Sequence, residues 1–251
     1  MTIVLSGTPR VIMLDVDGTL APIASHPDLA AVPAETRAAI ATLVRQPGVT
    51  VCIVSGRAAA DARRVVGVDG VWVIGNHGAE VLRPDGGHEV DPAAALYAGA
   101  MERTAAALEP VVARVAGAWV ENKQFTLTVH IRGVADAAVP QLRQAVGNIV
   151  AGEGLTVRDG KKVIEVRPPV PVDKGTAVVA LARRLGALAP GASVLFAGDD
   201  VTDEDAFRAL RGSEGAVVTV QVGSDGTAGS AAEYRVDDPA AMRKLLIELA
   251  S

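Results

Sequence analysis

Val11-Ile12-Met13-Leu14-Asp15-Val16-Asp17-Gly18-Thr19 is the stretch whose reading decides the fold. Four apolar residues run without alternation straight into an acid. A short continuous Val/Ile/Leu run of this kind marks a strand buried on both faces, as in a parallel sheet covered by helices. Residues 49–54, Val-Thr-Val-Cys-Ile-Val, repeat the pattern and stop on Ser55-Gly56-Arg57. Between the two runs, Pro33 to Arg45 places apolar residues at helical spacing, with Pro33 suited to a first turn, so the whole reads as a βαβ unit. Val71-Trp72-Val73-Ile74 supplies a third strand that ends on Gly75-Asn76-His77-Gly78, and Val194-Leu195-Phe196-Ala197 a fourth that ends on Gly198-Asp199-Asp200. Polar residues thus collect at strand carboxyl ends, the edge at which open α/β sheets bind ligands.

The middle of the chain has a different rhythm. Residues 93–115 and 136–150 read as helices, whereas 118–122, 125–131 and 156–166 alternate, as half-exposed antiparallel strands do. The expected fold is therefore α/β: a Rossmann-like, doubly wound parallel-sheet core over 1–83 and 169–251, with a smaller α+β domain of order αββαββ inserted at 84–168. The turn-rich Arg83-Pro84-Asp85-Gly86-Gly87 and the Pro-rich Pro168-Pro169-Val170-Pro171 read as its linkers. Residues 223–229, rich in Gly, Ser and Thr, read as a loop.

Composition narrows the function. Aromatics make up 3% of the 251 residues, so the core must be built mainly from Val, Ala, Leu and Ile. The formal net charge is -5 with both signs interspersed, which leaves no footprint for nucleic acid or an anionic membrane. A small soluble substrate fits better. The single cysteine, Cys52, rules out an intrachain disulfide and reads as a small buried hydrophobe. With no signal pattern and no stretch of about 20 apolar residues, a cytoplasmic location is expected.

Asp15 and Asp17 sit two apart at the end of a buried strand, where two carboxylates need compensation. A divalent cation supplies it, and Mg2+ favours one or two carboxylates plus phosphate oxygens. An acidic strand end or a calcium loop shares the D-x-D-G pattern, but the twelfth position counted from Asp15 is His26 rather than Glu. Ser55, Gly56 and Arg57 offer a hydroxyl, a backbone N–H and a forked cation to a phosphate, as Thr19 offers a hydroxyl. Lys174 opens the helix after the second linker, and Asp199, Asp200 and Asp203 lie in the densest acidic cluster of the chain. Capping explains Asp203 but leaves Asp199 and Asp200 unexplained.

The ordered set Asp15-Val16-Asp17-Gly18-Thr19, Val54-Ser55-Gly56-Arg57, Asp173-Lys174-Gly175 and 198–205 (GDDVTDED) resembles the haloacid dehalogenase superfamily of phosphohydrolases. The resemblance implies Asp15 as nucleophile through an aspartyl-phosphate, Asp17 as acid and then base, and Mg2+ held by Asp15, the Asp17 carbonyl and Asp199. It also implies Ser55 and Lys174 on the phosphoryl oxygens, and Asp200 or Asp203 on the metal or its waters. Within the insert and its flank, residues 75–80, 120–123, 129–132 and 160–168 are similar to those of trehalose-6-phosphate phosphatases. That likeness implies sugar contacts from His77, Glu121, Lys123, Arg132, Lys161 and Glu165, with Lys162 as an alternative register. It implies trehalose 6-phosphate as substrate and a role beside a trehalose-phosphate synthase. Phosphatases of sucrose phosphate or of a glycosyl phosphoglycerate, and a silent sugar-phosphate-binding domain, remain the alternatives.

Overall fold

The computed structural model describes residues 3–223 and 229–251; the interior of the expected Gly- and Ser-rich loop, 224–228, lies outside them. The chain divides into two compact units, 1–89 with 172–251, and 90–171.

The first unit is built on an eight-stranded sheet. Its strands are β1 (Arg10–Leu14), β2 (Val49–Val54), β3 (Trp72–Gly75), β4 (Glu80–Leu82), β5 (His88–Val90), β10 (Ser193–Gly198), β11 (Ala216–Val222) and β12 (Tyr234–Val236). The order is β12-β11-β10-β1-β2-β3-β4-β5, with β1 paired in parallel to both β10 and β2. Successive residues of one strand face opposite sides, and both sides are apolar. Ile12, Leu14, Val51 and Ile53 pack with α1 (Ala34–Arg45), α2 (Ala59–Val66) and α8 (Pro239–Ala250). Val11, Met13, Cys52, Val54 and Phe196 pack with α6 (Lys174–Arg184) and α7 (Val201–Leu210). Helices on both faces explain why the strands lack alternation. The chain runs from β1 outward through β2 and β3, then returns to the other side of β1 as β10. The carboxyl ends of β1 and β10 therefore flank the point where strand order reverses, the position at which such sheets bind ligands.

The second unit holds α3 (Pro92–Ala95), α4 (Ala98–Val112), β6 (Trp119–Asn122), β7 (Leu127–His130), α5 (Val139–Gly152), β8 (Thr156–Gly160) and β9 (Val163–Arg167). Its antiparallel sheet runs β6-β7-β9-β8. Leu127, Val129, Ile164 and Val166 pack on Met101 and Leu108 of α4 and on Leu142 and Val146 of α5. The fold is the expected α/β core with an inserted α+β unit, and two details differ. The stretch at 83–87 is not a linker: Arg83 accepts from Gly86 and donates to Gly87 across a tight turn that joins β4 to β5 in the core sheet, so the break falls later, at 89–90. The helix expected over 93–115 is interrupted at Leu96 and Tyr97, between α3 and α4. No described helix is long and apolar enough to cross a membrane.

Candidate active site

Asp15 is the first residue after β1, and its N–H donates to Ala197 O of β10 at 3.0 Å, which fixes it at the reversal point. The residue is 5% exposed. Lys174, the first residue of α6, places Nζ 2.7 Å from Asp15 Oδ1 and 2.7 Å from Asp203 Oδ1. The ammonium is buried, and although burial alone would lower its pKa, the Asp15 and Asp203 carboxylates hold it above the ordinary lysine value. Burial pushes the Asp15 carboxyl well up; Lys174 pulls it down, while Asp203 and Asp199 push it further up.

Asp15, Asp199 and Asp203 each bring a carboxylate oxygen within 4.8 Å of the others. Three carboxylates against one ammonium leave negative charge in excess in a desolvated place. Asp203 is fully buried, and its second oxygen accepts from the N–H groups of Asp199 at 3.1 Å and Asp200 at 3.0 Å. Gly18, at φ 94, lies against Asp199: a Cβ there would come within 2.1 Å of Asp199 Oδ2. The oxygen-only donor set suits a hard divalent cation such as Mg2+.

The side chains of other expected residues turn to partners outside this cluster. Asp200 caps α7, its Oδ1 accepting from Val201 N at 2.7 Å. The Asp17 carboxylate turns to Arg57, which donates Nε to Oδ2 at 2.6 Å and Nη2 to Oδ1 at 2.8 Å. Arg57 also reaches Asp61 Oδ2 through Nη1 at 2.7 Å and the Pro27 carbonyl through Nη2 at 3.1 Å. All three of its nitrogens are thus engaged by protein oxygens, and the guanidinium expected to bind phosphate instead orients the Asp17 carboxylate. Ser55 Oγ accepts from Arg57 N at 3.2 Å, which leaves its O–H to donate to an incoming anion. Thr19 Oγ1 is buried without a hydrogen-bond partner among the described residues, as a hydroxyl awaiting a ligand oxygen would be. His77 and Gly56 meet in one corner: a Cβ on Gly56 would lie 2.4 Å from the His77 ring.

Comparison with known proteins decides the family. The sequence profile of trehalose-phosphatase matches residues 13–240. The chain belongs to the trehalose-phosphatase family. It is 37% identical over 243 residues to a trehalose-phosphate phosphatase of Mycobacterium avium, covering 94% of this chain and 61% of that protein. An uncharacterized glycosyl hydrolase of Mycobacterium tuberculosis is 38% identical over 249 residues, 98% of this chain and 18% of its own length. The chain thus spans less than two thirds of these relatives. Among solved structures, the trehalose-6-phosphate phosphatase C-terminal domain of Candida albicans superposes with a TM-score of 0.80 at 26% identity, covering 97% of this chain and 92% of that one. A trehalose-6-phosphate phosphatase related protein gives 0.83 at 28%, covering 96% of each chain.

In the second unit of this family member, register shows what the sequence left open. Glu121 pairs with Thr128, Thr128 with Glu165, and Glu165 with Arg158, one row across four strands. The row lies on the face opposite α4 and α5, together with Trp119, His130 and Arg167. Trp119 stacks on His130 with centroids 3.8 Å apart, and His130 Nε2 is 2.9 Å from Glu121 Oε2. Arg167 donates to Glu165. Lys161 sits in the β8–β9 turn, and Arg132 follows Ile131, whose N–H donates to Lys162 O beside that turn. Lys123 sits in the β6–β7 turn, at the opposite end of the sheet. Lys162 takes the left-handed position of its turn, at φ 63, and pairs with Asp136.

Sequence reasoning missed Asp61, Glu80, Trp119, His130 and Arg167. The Arg57/Asp61 pair carries a legible signal, opposite charges at i and i+4 on a helix start. Trp119 and His130 carry one only once the strand register is known.

Proposed function

We propose that the chain hydrolyses trehalose 6-phosphate to trehalose and inorganic phosphate through an aspartyl-phosphate on Asp15. One observation carries the reading: a buried carboxylate at the strand reversal point, 2.7 Å from a buried ammonium and grouped with two further carboxylates. Asp15 attacks phosphorus and the ester P–O bond breaks, while Asp17 delivers a proton to the departing sugar oxygen. In the second half, Asp17 takes a proton from water as that water attacks phosphorus, which frees phosphate and restores Asp15. Lys174, Ser55 and the Thr19 hydroxyl bind phosphoryl oxygens and offset their charge. Asp15, Asp199 and Asp203 would hold Mg2+, which when bound adds charge neutralisation and alignment of the reacting oxygens. Arg57 fixes the direction of Asp17.

The choice of sugar rests on the family and on the polar row in the second unit, where the Glu121 and Glu165 carboxylates suit polyhydroxylated ligands. Glu121, Lys123, Arg132, Lys161, Glu165 and His77 are the sugar-contact candidates. Phosphate release is measured with purified protein, Mg2+ and a panel of sugar phosphates. Preferential turnover of trehalose 6-phosphate supports the proposal. Preference for sucrose phosphate or a glycosyl phosphoglycerate overturns the sugar assignment alone, and release from no ester overturns the enzyme reading.

A further inference from the structure

Glu80 is 6% exposed and touches none of the reacting groups, yet three segments converge on its carboxylate. Oε1 accepts from Ala59 N at 2.8 Å and from Asn76 Nδ2 at 2.6 Å, and Oε2 lies 2.6 Å from His88 Nε2. The first contact replaces a missing cap. Helix α2 begins after Ala58, whose side chain cannot accept from the orphan N–H groups of the first turn, so Glu80 accepts one from across the sheet edge. The second contact holds a strained turn. Asn76 and His77 stand consecutively at φ 48 and φ 55, a left-handed pair that non-glycine residues adopt only when surroundings fix it.

That turn is the joint between two parts of the phosphate site. Asn76 N donates to Arg57 O at 2.7 Å, and His77 N to Ser55 O at 3.1 Å, so the turn grips the Ser55–Gly56–Arg57 loop at both ends. On its other side, Gly78 lies so close to the start of α6 that a Cβ would meet Asp173 O at 2.6 Å and Ala177 Cβ at 2.9 Å. Lys174 follows Asp173. The one turn therefore spaces the Ser55 hydroxyl from the Lys174 ammonium, the two groups expected to bind the same phosphoryl oxygens.

We propose that Glu80 is a positioning residue for the phosphate site: it caps α2 from outside the helix and locks the Asn76–Gly78 turn, which sets Ser55 and Lys174 at phosphate-binding separation. The inference rests on the phosphatase reading above. A site held to within a fraction of an ångström by packing and outer hydrogen bonds loses rate when those supports are removed, although no reacting group changes.

The test compares wild type with Glu80→Ala and Glu80→Gln, each first shown folded by circular dichroism at the assay temperature. For Glu80→Ala, kcat falls at least about tenfold, and inhibition by inorganic phosphate weakens by a similar factor. Glu80→Gln keeps an acceptor oxygen for Ala59 and Asn76, and the His88 ring can change tautomer to accept from the amide, so it recovers most of both. A folded Glu80→Ala protein with wild-type kcat and wild-type phosphate inhibition overturns the inference, as does a Glu80→Gln protein as impaired as Glu80→Ala. Absence of phosphatase activity in wild type would instead overturn the reading on which the inference rests. If Glu80→Ala does not fold, Asn76→Gly, which removes the side-chain donor to Glu80 and tolerates the φ of 48, takes its place with the same expected losses and the same overturning result.

Discussion

Asp15 was legible from the sequence because a carboxylate ending a continuous apolar strand has few inexpensive explanations. Arg57 was not, because a forked cation two residues beyond a strand fits a phosphate as well as it fits another acid. Only the fold brings Asp17 to it, at 2.6 and 2.8 Å, whereas Asp61, four residues on, meets the same guanidinium at 2.7 Å. The pair makes a pH prediction. Burial tends to raise the pKa of Asp61, but hydrogen bonds and charge from Arg57 and Arg64 bring it below the ordinary value of 3.8. A carboxyl depressed on folding adds stability above its unfolded pKa and loses it as pH falls through the folded one. Asp61→Asn is therefore expected to lower Tm near pH 6, with the gap to wild type closing below about pH 3.8. A gap independent of pH in a thermal-melt series would show that Asp61 acts through packing alone. Lys174 carries the opposite hazard. Removing it as Lys174→Met leaves buried carboxylates uncompensated, at a cost on the order of 3–5 kcal/mol in denaturant unfolding without metal. Millimolar Mg2+ is expected to return part of that loss, because a cation bound among these carboxylates would offset their charge.

At the scale of elements, the strands that end in chemistry were the easiest to read. β1 and β2 begin and end where the apolar runs do, since burial on both faces forces uninterrupted Val, Ile and Leu. Turns were harder. The 83–87 stretch has the composition of a linker, and only its pairing shows a hairpin, because a turn residue satisfies either role. Asp200 and Asp203 were both read as serving the metal or its waters. The helix start divides them: one caps α7, and the other, one turn on, points back beneath the strand end to Lys174. The turn after β1 gives a direct prediction. Gly18→Ala places a methyl within 2.1 Å of Asp199 Oδ2 at a left-handed φ of 94. The strain costs about 1–3 kcal/mol of stability. Because the clash falls on a carboxylate of the cation cluster, the Mg2+ concentration for half-maximal activity is expected to rise at least about tenfold. An unchanged Mg2+ titration in the folded variant would remove Asp199 from the metal site.

For the whole molecule, the order of motifs made the doubly wound core and its insertion readable, since each motif follows a strand or opens a helix and two antiparallel stretches interrupt the series. Which insert residues share a face was not readable, because register depends on turns that shift it by single residues. The structure puts Glu121 and Glu165 in one row and Lys123 and Lys161 at opposite ends of the sheet. Metal binding to the folded state alone raises stability by mass action, about 2.7 kcal/mol at a hundred times Kd. Calorimetry with and without Mg2+ should accordingly show the core transition several degrees higher with metal, by the size scaling of Tm. The shift is expected to vanish in Asp199→Asn.

The measurement that bears most directly on the central claim is acid quenching of the protein during incubation with trehalose 6-phosphate and Mg2+, followed by peptide mass spectrometry. A phosphoryl group on Asp15, absent from Asp15→Asn, is the predicted result. Turnover with no trapped phosphoryl group, or one carried by another residue, would contradict it.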